Sequence, residues 1–116
     1  MKVRKKMKKK FYKKLSPLEF VGLRNKERRW QLLDVREPWE IEISNISDSI
    51  NIPMNSIEEK LDELKKDDPI AVLCRSGIRS AKVAETLIRK SFTEVANIEG
   101  GINEWAQSID QKIQQY

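Results

Sequence analysis

The stretch from Ile70 to about Lys90 constrains this chain more than any other. Four apolar residues, Ile70-Ala71-Val72-Leu73, run without polar alternation into a polar loop, Cys74-Arg75-Ser76-Gly77-Ile78-Arg79, and a helical pattern follows. A short, wholly apolar run suits a strand buried on both faces, as in parallel sheets covered by helices. Ser80 reads as the cap of the next helix, with Ala81, Ala84, Leu87 and Ile88 as its apolar stripe. A further strand over 94–98 completes a βαβ unit, whose crossover is right-handed.

The rest of the chain supplies neighbours for that unit. Residues 11–15 read as an edge strand. At Ser16-Pro17-Leu18-Glu19 a helix starts: Ser16 caps it, Pro17 fits the first helical position and Glu19 closes a capping box, with Leu18, Val21 and Gly22 facing inward. Gln31-Leu32-Leu33-Asp34-Val35 suits a buried strand. Pro38 begins a short helix, and Ile50-Asn51-Ile52 is a strand stopped by Pro53. Ser56-Ile57-Glu58-Glu59 is a second capping box, expected to open a helix with Ile57, Leu61 and Leu64 on one face. A terminal helix is expected from Ile102 as far as Gln115. A chain of 116 residues with no internal repeat has room for one core. The expected fold is α/β, a central, mostly parallel five-stranded sheet with helices on both faces, over residues 11–116.

The net charge of +5 is unevenly placed. Nine bases and no acids lie within residues 1–14, leaving 14 of the 23 bases to set against 18 acids in the body. Residues 1–10 therefore read as a basic, flexible N-terminal arm on a mildly acidic domain. The basic run holds no aromatic platform, so nucleic-acid binding is not expected; a weak contact with an anionic surface stays open. No apolar run approaches the roughly 20 residues that span a bilayer, and no apolar stretch follows the basic start as in a secretory signal. A cytoplasmic location and no integral membrane segment are the expectations.

Cys74 is the only cysteine, and there is no histidine. That excludes an internal disulfide, the usual Cys/His zinc sets, and Ser-His-Asp or Cys-His catalysis. No metal or cofactor is implied. Any nucleophile must be activated otherwise, and Cys74 is placed for it. It stands where a buried strand ends, the end at which open α/β sheets bind ligands. Loop amides and a helix N-terminus can form an anion-binding nest there, and Arg75 and Arg79 add positive charge. Such surroundings favour the thiolate, the reactive form. Gly77 allows the positive-φ backbone that a tight loop requires.

Four segments carry a family resemblance. Leu33-Asp34-Val35-Arg36-Glu37-Pro38-Trp39-Glu40 resembles the early signature of the rhodanese family, and Asn51-Ile52-Pro53 its middle marker. Cys74-Arg75-Ser76-Gly77-Ile78-Arg79-Ser80 resembles its active-site loop, and Gly100-Gly101-Ile102 with Trp105 its C-terminal signature. The likeness spans about residues 11–106, with the markers in family order. The sequence departs at Ser44-Asn45-Ile46-Ser47-Asp48, where many members have a Gly-His-Ile turn followed by Pro-Gly.

The resemblance implies a rhodanese-like fold and a sulfurtransferase working through a Cys74 persulfide. A small anionic donor such as thiosulfate would supply the sulfur, and an external thiol or cyanide would accept it. Loop residues Ser76, Gly77, Ile78 and Ser80 would form the substrate cradle. Arg75 would line the mouth, and Arg79 is read as serving the anion in preference to pairing with an acid. Asp34, Arg36 and Trp39 are supporting candidates, Asp34 as a group that orients backbone or pairs with an arginine such as Arg36 and Trp39 as a pocket wall or core group. Four residues separate Cys74 from Arg79, the spacing of the family's sulfurtransferases; its related phosphatases have one more. The alternatives are a non-catalytic, partner-binding rhodanese-like module and an enzyme of phosphatase or arsenate type.

Overall fold

A computed structural model describes residues 11–116, so the basic arm read over residues 1–10 lies outside the described residues. Strands β1 (Lys13–Leu15), β2 (Gln31–Asp34), β3 (Ile50–Asn51), β4 (Ile70–Leu73) and β5 (Val95–Ile98) form one sheet in the order β1-β5-β4-β2-β3. Every neighbouring pair is parallel, so the sheet is wholly rather than mostly parallel. β4 lies between β5 and β2 and is buried along its whole length, as its unbroken apolar run demands.

Helices α1 (Pro17–Lys26), α2 (Pro38–Ile43), α3 (Ile78–Arg89) and α4 (Gly101–Ser108) connect or follow the strands. Two cores result, one on each face of the sheet, and not the single core expected from the length, because the sheet itself separates them. On one, Val83, Ala84 and Leu87 of α3 pack with Leu33, Ile70, Val72 and Val95. On the other, Phe20 of α1 and Ile102 and Trp105 of α4 pack with Leu32, Ala71, Leu73, Ala96 and Ile98. Phe20 meets Trp30 and Trp105 at ring separations of 5.8 and 5.9 Å. Such pairs add about 0.5–1.5 kcal/mol beyond the area they bury. Among the described residues, no helix is long and apolar enough to cross a membrane.

Several local expectations need correction. The Ser16–Glu19 capping box forms as expected, but α1 buries Pro17 and Phe20, and Leu18 is 61% exposed. The two tryptophans claim Phe20, and that choice turns Leu18 outward. In α3 the inward stripe is Ser80, Val83, Ala84 and Leu87, one step round from the expected stripe. The second capping box opens no α-helix: the chain makes 3₁₀ turns over Met54–Ser56 and Leu61–Glu63. α4 stops at Ser108 and the chain turns back, so no helix reaches Gln115. In the departure segment, Asp48 takes the left-handed conformation (φ 61°), and its carbonyl accepts from Arg24 Nη2 at 2.9 Å.

Candidate active site

Cys74 is the first residue past β4, and its loop is shaped around the sulfur. Gly77, with φ +106°, turns the chain so that its N–H donates to Cys74 Sγ at 3.1 Å. The Ser80 N–H donates to the same sulfur at 3.4 Å, and the thiol meets Ser80 Oγ at 3.3 Å. These contacts correct the role given to Ser80. It sits three residues after the Gly77 cap, fully buried, and does not cap α3 itself. The sulfur takes the place of the missing cap oxygen: it accepts N–H groups that a helix start leaves unpaired. Two amide donors at a helix N-terminus thus converge on one sulfur atom. Cys74 is 1% exposed, set at the bottom of the loop and not in an open bowl.

The next strand and helix hold this loop from behind. The N–H groups of Ile102 and Asn103, at the start of α4, donate to the carbonyls of Cys74 (2.8 Å) and Arg75 (3.2 Å). Gly101 lies so close that a Cβ there would fall on the backbone of Cys74 and Arg75. Asn97 of β5 donates from Nδ2 to the Gly77 carbonyl at 3.2 Å and to Glu99 at 2.9 Å, while its buried Oδ1 has no partner. The Gly-Gly pair thus brings a helix N-terminus against the cysteine loop as well as making a turn.

The other candidates are distributed as follows. Asp34 and Arg36 form a wholly buried ion pair, with Arg36 Nη2 on Asp34 Oδ2 at 2.8 Å. Arg36 also donates to the carbonyls of Glu40 (3.3 Å) and Ser44 (2.8 Å). Arg79 does pair with an acid: Nη1 and Nη2 donate to the two oxygens of Glu40 at 2.7 and 2.8 Å. Arg75 and Ser76 are exposed, and the Arg75 guanidinium lies 4.7 Å from the centre of the Tyr116 ring. Ile78 and Trp39 are 69% and 62% exposed, so Trp39 is not a core group; its ring stands edge-on to Tyr116.

Glu40 is the acid in the middle. Besides Arg79 it accepts from the Glu37 N–H (2.8 Å) and the Tyr116 hydroxyl (2.7 Å). The Arg79 hydrogen bonds outweigh burial and hold its carboxyl down to about 2. Burial pushes the Tyr116 phenol up, so it stays a neutral donor. Glu40, Asn97, Asn103 and Tyr116 received no role from the sequence. Glu40 carries a signal, as the third residue of a helix opened by proline. Tyr116 carries none, because it follows a polar, irregular stretch.

A wholly parallel α/β domain whose lone thiol is wrapped by the amides of a strand-to-helix loop defines a class of cysteine-loop proteins. Within that class the chain belongs to the rhodanese-like domain family, which matches residues 16–108. It is similar to the thiosulfate sulfurtransferase GlpE of Pseudomonas syringae, 31% identical over 104 residues that cover 90% of this chain and 96% of that protein. It also resembles YqhL of Bacillus subtilis, an uncharacterised protein, 36% identical over 85 residues covering 73% of this chain and 68% of that one. A rhodanese-related protein of Thermoplasma volcanium shares the fold with a TM-score of 0.75 at 33% identity, covering 84% of this chain and 94% of its own. These likenesses support sulfur transfer as the general chemistry.

Proposed function

We propose that this chain moves a sulfane sulfur from an anionic donor such as thiosulfate to an external thiol or cyanide, carrying it as a persulfide on Cys74. The observation that carries this reading is the pair of amides, Gly77 and Ser80, donating to one sulfur atom at 3.1 and 3.4 Å. Cys74 also packs into the core beneath the loop, but a cysteine serving only as a small hydrophobe has no use for two amide donors. The likeness to a named thiosulfate sulfurtransferase over nearly the whole chain supports the same donor class.

In the first half-reaction the Cys74 thiolate attacks the outer sulfur of thiosulfate. A new S–S bond forms, the old one breaks, and sulfite departs with its electron pair. The persulfide then stands in the amide nest. In the second half-reaction a thiolate or cyanide attacks the outer sulfur, and Cys74 leaves as thiolate. The chain holds no second thiol, so the acceptor comes from outside. A guanidinium has more N–H donors than the two that Glu40 takes from Arg79, which leaves donors for the incoming anion. Arg75, exposed beside the loop, adds charge at the mouth.

Incubation with thiosulfate followed by intact-mass measurement tests the proposal. The expected result is a gain of one sulfur atom, absent in Cys74→Ser and discharged by cyanide as thiocyanate. No gain in wild type, with no hydrolytic activity either, refutes the sulfurtransferase reading and leaves the partner-binding module. Hydrolysis of an aryl phosphate without sulfur uptake would move the chain to phosphatase chemistry.

A further inference from the structure

The stretch after α4 crosses back to the loop arginines and ends on Tyr116. Ile109 and Ile113 pack against the α1/α4 core, and Ser44 Oγ donates to the Gln114 carbonyl at 3.0 Å. Asn103 then clamps the backbone of Tyr116 from both sides: its Nδ2 donates to the Tyr116 main-chain oxygen (3.1 Å), and its Oδ1 accepts the Tyr116 N–H (3.3 Å). The backbone N–H of the same Asn103 holds the Arg75 carbonyl. One residue of α4 therefore fixes both the cysteine loop and the tyrosine beside it.

Held there, Tyr116 reaches both loop arginines by different means. Its ring face carries the Arg75 guanidinium at 4.7 Å, a cation–π distance. Its hydroxyl donates to Glu40 at 2.7 Å, on the same oxygen that receives Arg79 Nη2, and accepts from Arg36 Nη1 at 3.0 Å. The Trp39 ring stands edge-on to the Tyr116 ring, with centroids 6.4 Å apart.

We infer that Tyr116 is the positioning residue for the positive charge around Cys74, setting Arg75 through its ring and Arg79 through Glu40. The inference deepens the proposed sulfur transfer and rests on it for its meaning. An anionic donor needs both charges near the sulfur in one arrangement; a neutral reagent does not. Tyr116 thereby selects for anions at the thiol.

The test separates ring from hydroxyl and charge from fold. Cys74 is the only thiol, so its alkylation can be followed by mass with iodoacetate, an anion, and iodoacetamide, its neutral analogue. Tyr116→Leu releases Arg75 and should lower the iodoacetate-to-iodoacetamide rate ratio about threefold, the size of one charge near a thiol in a mostly aqueous setting. Tyr116→Phe keeps the ring and should lower that ratio less than Tyr116→Leu does, while raising KM for thiosulfate more than it lowers kcat. An unchanged ratio in Tyr116→Leu overturns the inference. So does an equal acceleration of both reagents, since that describes a plain cover over the sulfur. The alkylation arm needs no sulfurtransferase activity. Absent sulfur uptake in wild type therefore refutes the proposed function alone, and the charge-positioning result stands apart from it.

Discussion

Arg79 and Glu40 share two hydrogen bonds, at 2.7 and 2.8 Å, that tie the first turn of α3 to the first turn of α2. Glu40 is 3% exposed, so the pair is costly to break from either side. Glu40→Gln is expected to lower stability by about 1–3 kcal/mol in urea unfolding. Arg79→Ala should weaken folding as well as sulfur uptake, because it strands a buried carboxylate. The pH response has a definite sign. The folded carboxyl is depressed from 4.5 to about 2, chiefly by the Arg79 hydrogen bonds, so its contribution is complete above the unfolded value. It is lost as pH falls from there through the folded value. Wild type should lose urea resistance over that acid interval more steeply than Glu40→Gln, and parallel slopes would refute the assignment.

The buried Asp34–Arg36 pair should behave non-additively. Both side chains are fully enclosed, with Arg36 bonded to Asp34, Tyr116 and two carbonyls. Asp34→Ala leaves a buried guanidinium without its counter-ion and should cost about 3–5 kcal/mol. Asp34→Ala combined with Arg36→Met removes both charges, and should cost less than the sum of the two single changes. A double-mutant cycle by chemical denaturation measures the difference, and simple additivity would mean the two groups do not act as a unit.

Capping boxes show why some of this fold was legible in the chain and some was not. Ser16–Glu19 and Ser56–Glu59 have the same spacing, yet only the first opens an α-helix. A box pairs the first orphan donors, but a helix must then propagate over enough residues to offset its nucleation. After Ser56 the chain meets Lys65-Lys66-Asp67-Asp68-Pro69 within a few turns, and Ile57 and Leu64 reach the core through 3₁₀ turns instead. The β4–loop–α3 unit was legible because its pattern is local: apolar run, glycine loop, helical stripe. The Glu40 and Tyr116 bonds were not, because they join residues 39 and 76 positions apart and nothing near either one in sequence announces the other.

Gly101 is expected to tolerate no side chain. Its φ is +62°, and a Cβ would overlap the Cys74 and Arg75 backbone that frames the sulfur. Gly101→Ala should cost at least about 2 kcal/mol, since left-handed strain alone is roughly 1–2 kcal/mol and the loop must also shift. Sulfur uptake from thiosulfate should fall about tenfold, the effect of loop displacement adding about 1.4 kcal/mol to the barrier. Gly22→Ala is the control: it lies in α1 with open space around it and should stabilise by about 0.5–1 kcal/mol. Loss of stability in both variants would point to a general sensitivity to alanine, not to a close approach at the loop.

The end of α3 offers the opposite substitution. Its last turn closes with the Ser91 N–H on the Ile88 carbonyl and the Phe92 N–H on the Leu87 carbonyl, both at 3.1 Å. That is the Schellman arrangement, completed by buried Phe92 and Leu87 in the same core. The residue after the cap is left-handed in this motif and is usually glycine; here it is Ser91, with φ 72°. A serine there bears left-handed strain that glycine lacks, partly offset by glycine's greater freedom in the unfolded chain. Ser91→Gly should therefore stabilise the domain by about 0.5–1 kcal/mol and raise Tm by about 2–6 °C. The site lies at the opposite end of α3 from the Cys74 loop, so sulfur uptake should be unchanged. A fall in Tm would mean that the Ser91 side chain contributes more to this turn than its backbone strain removes.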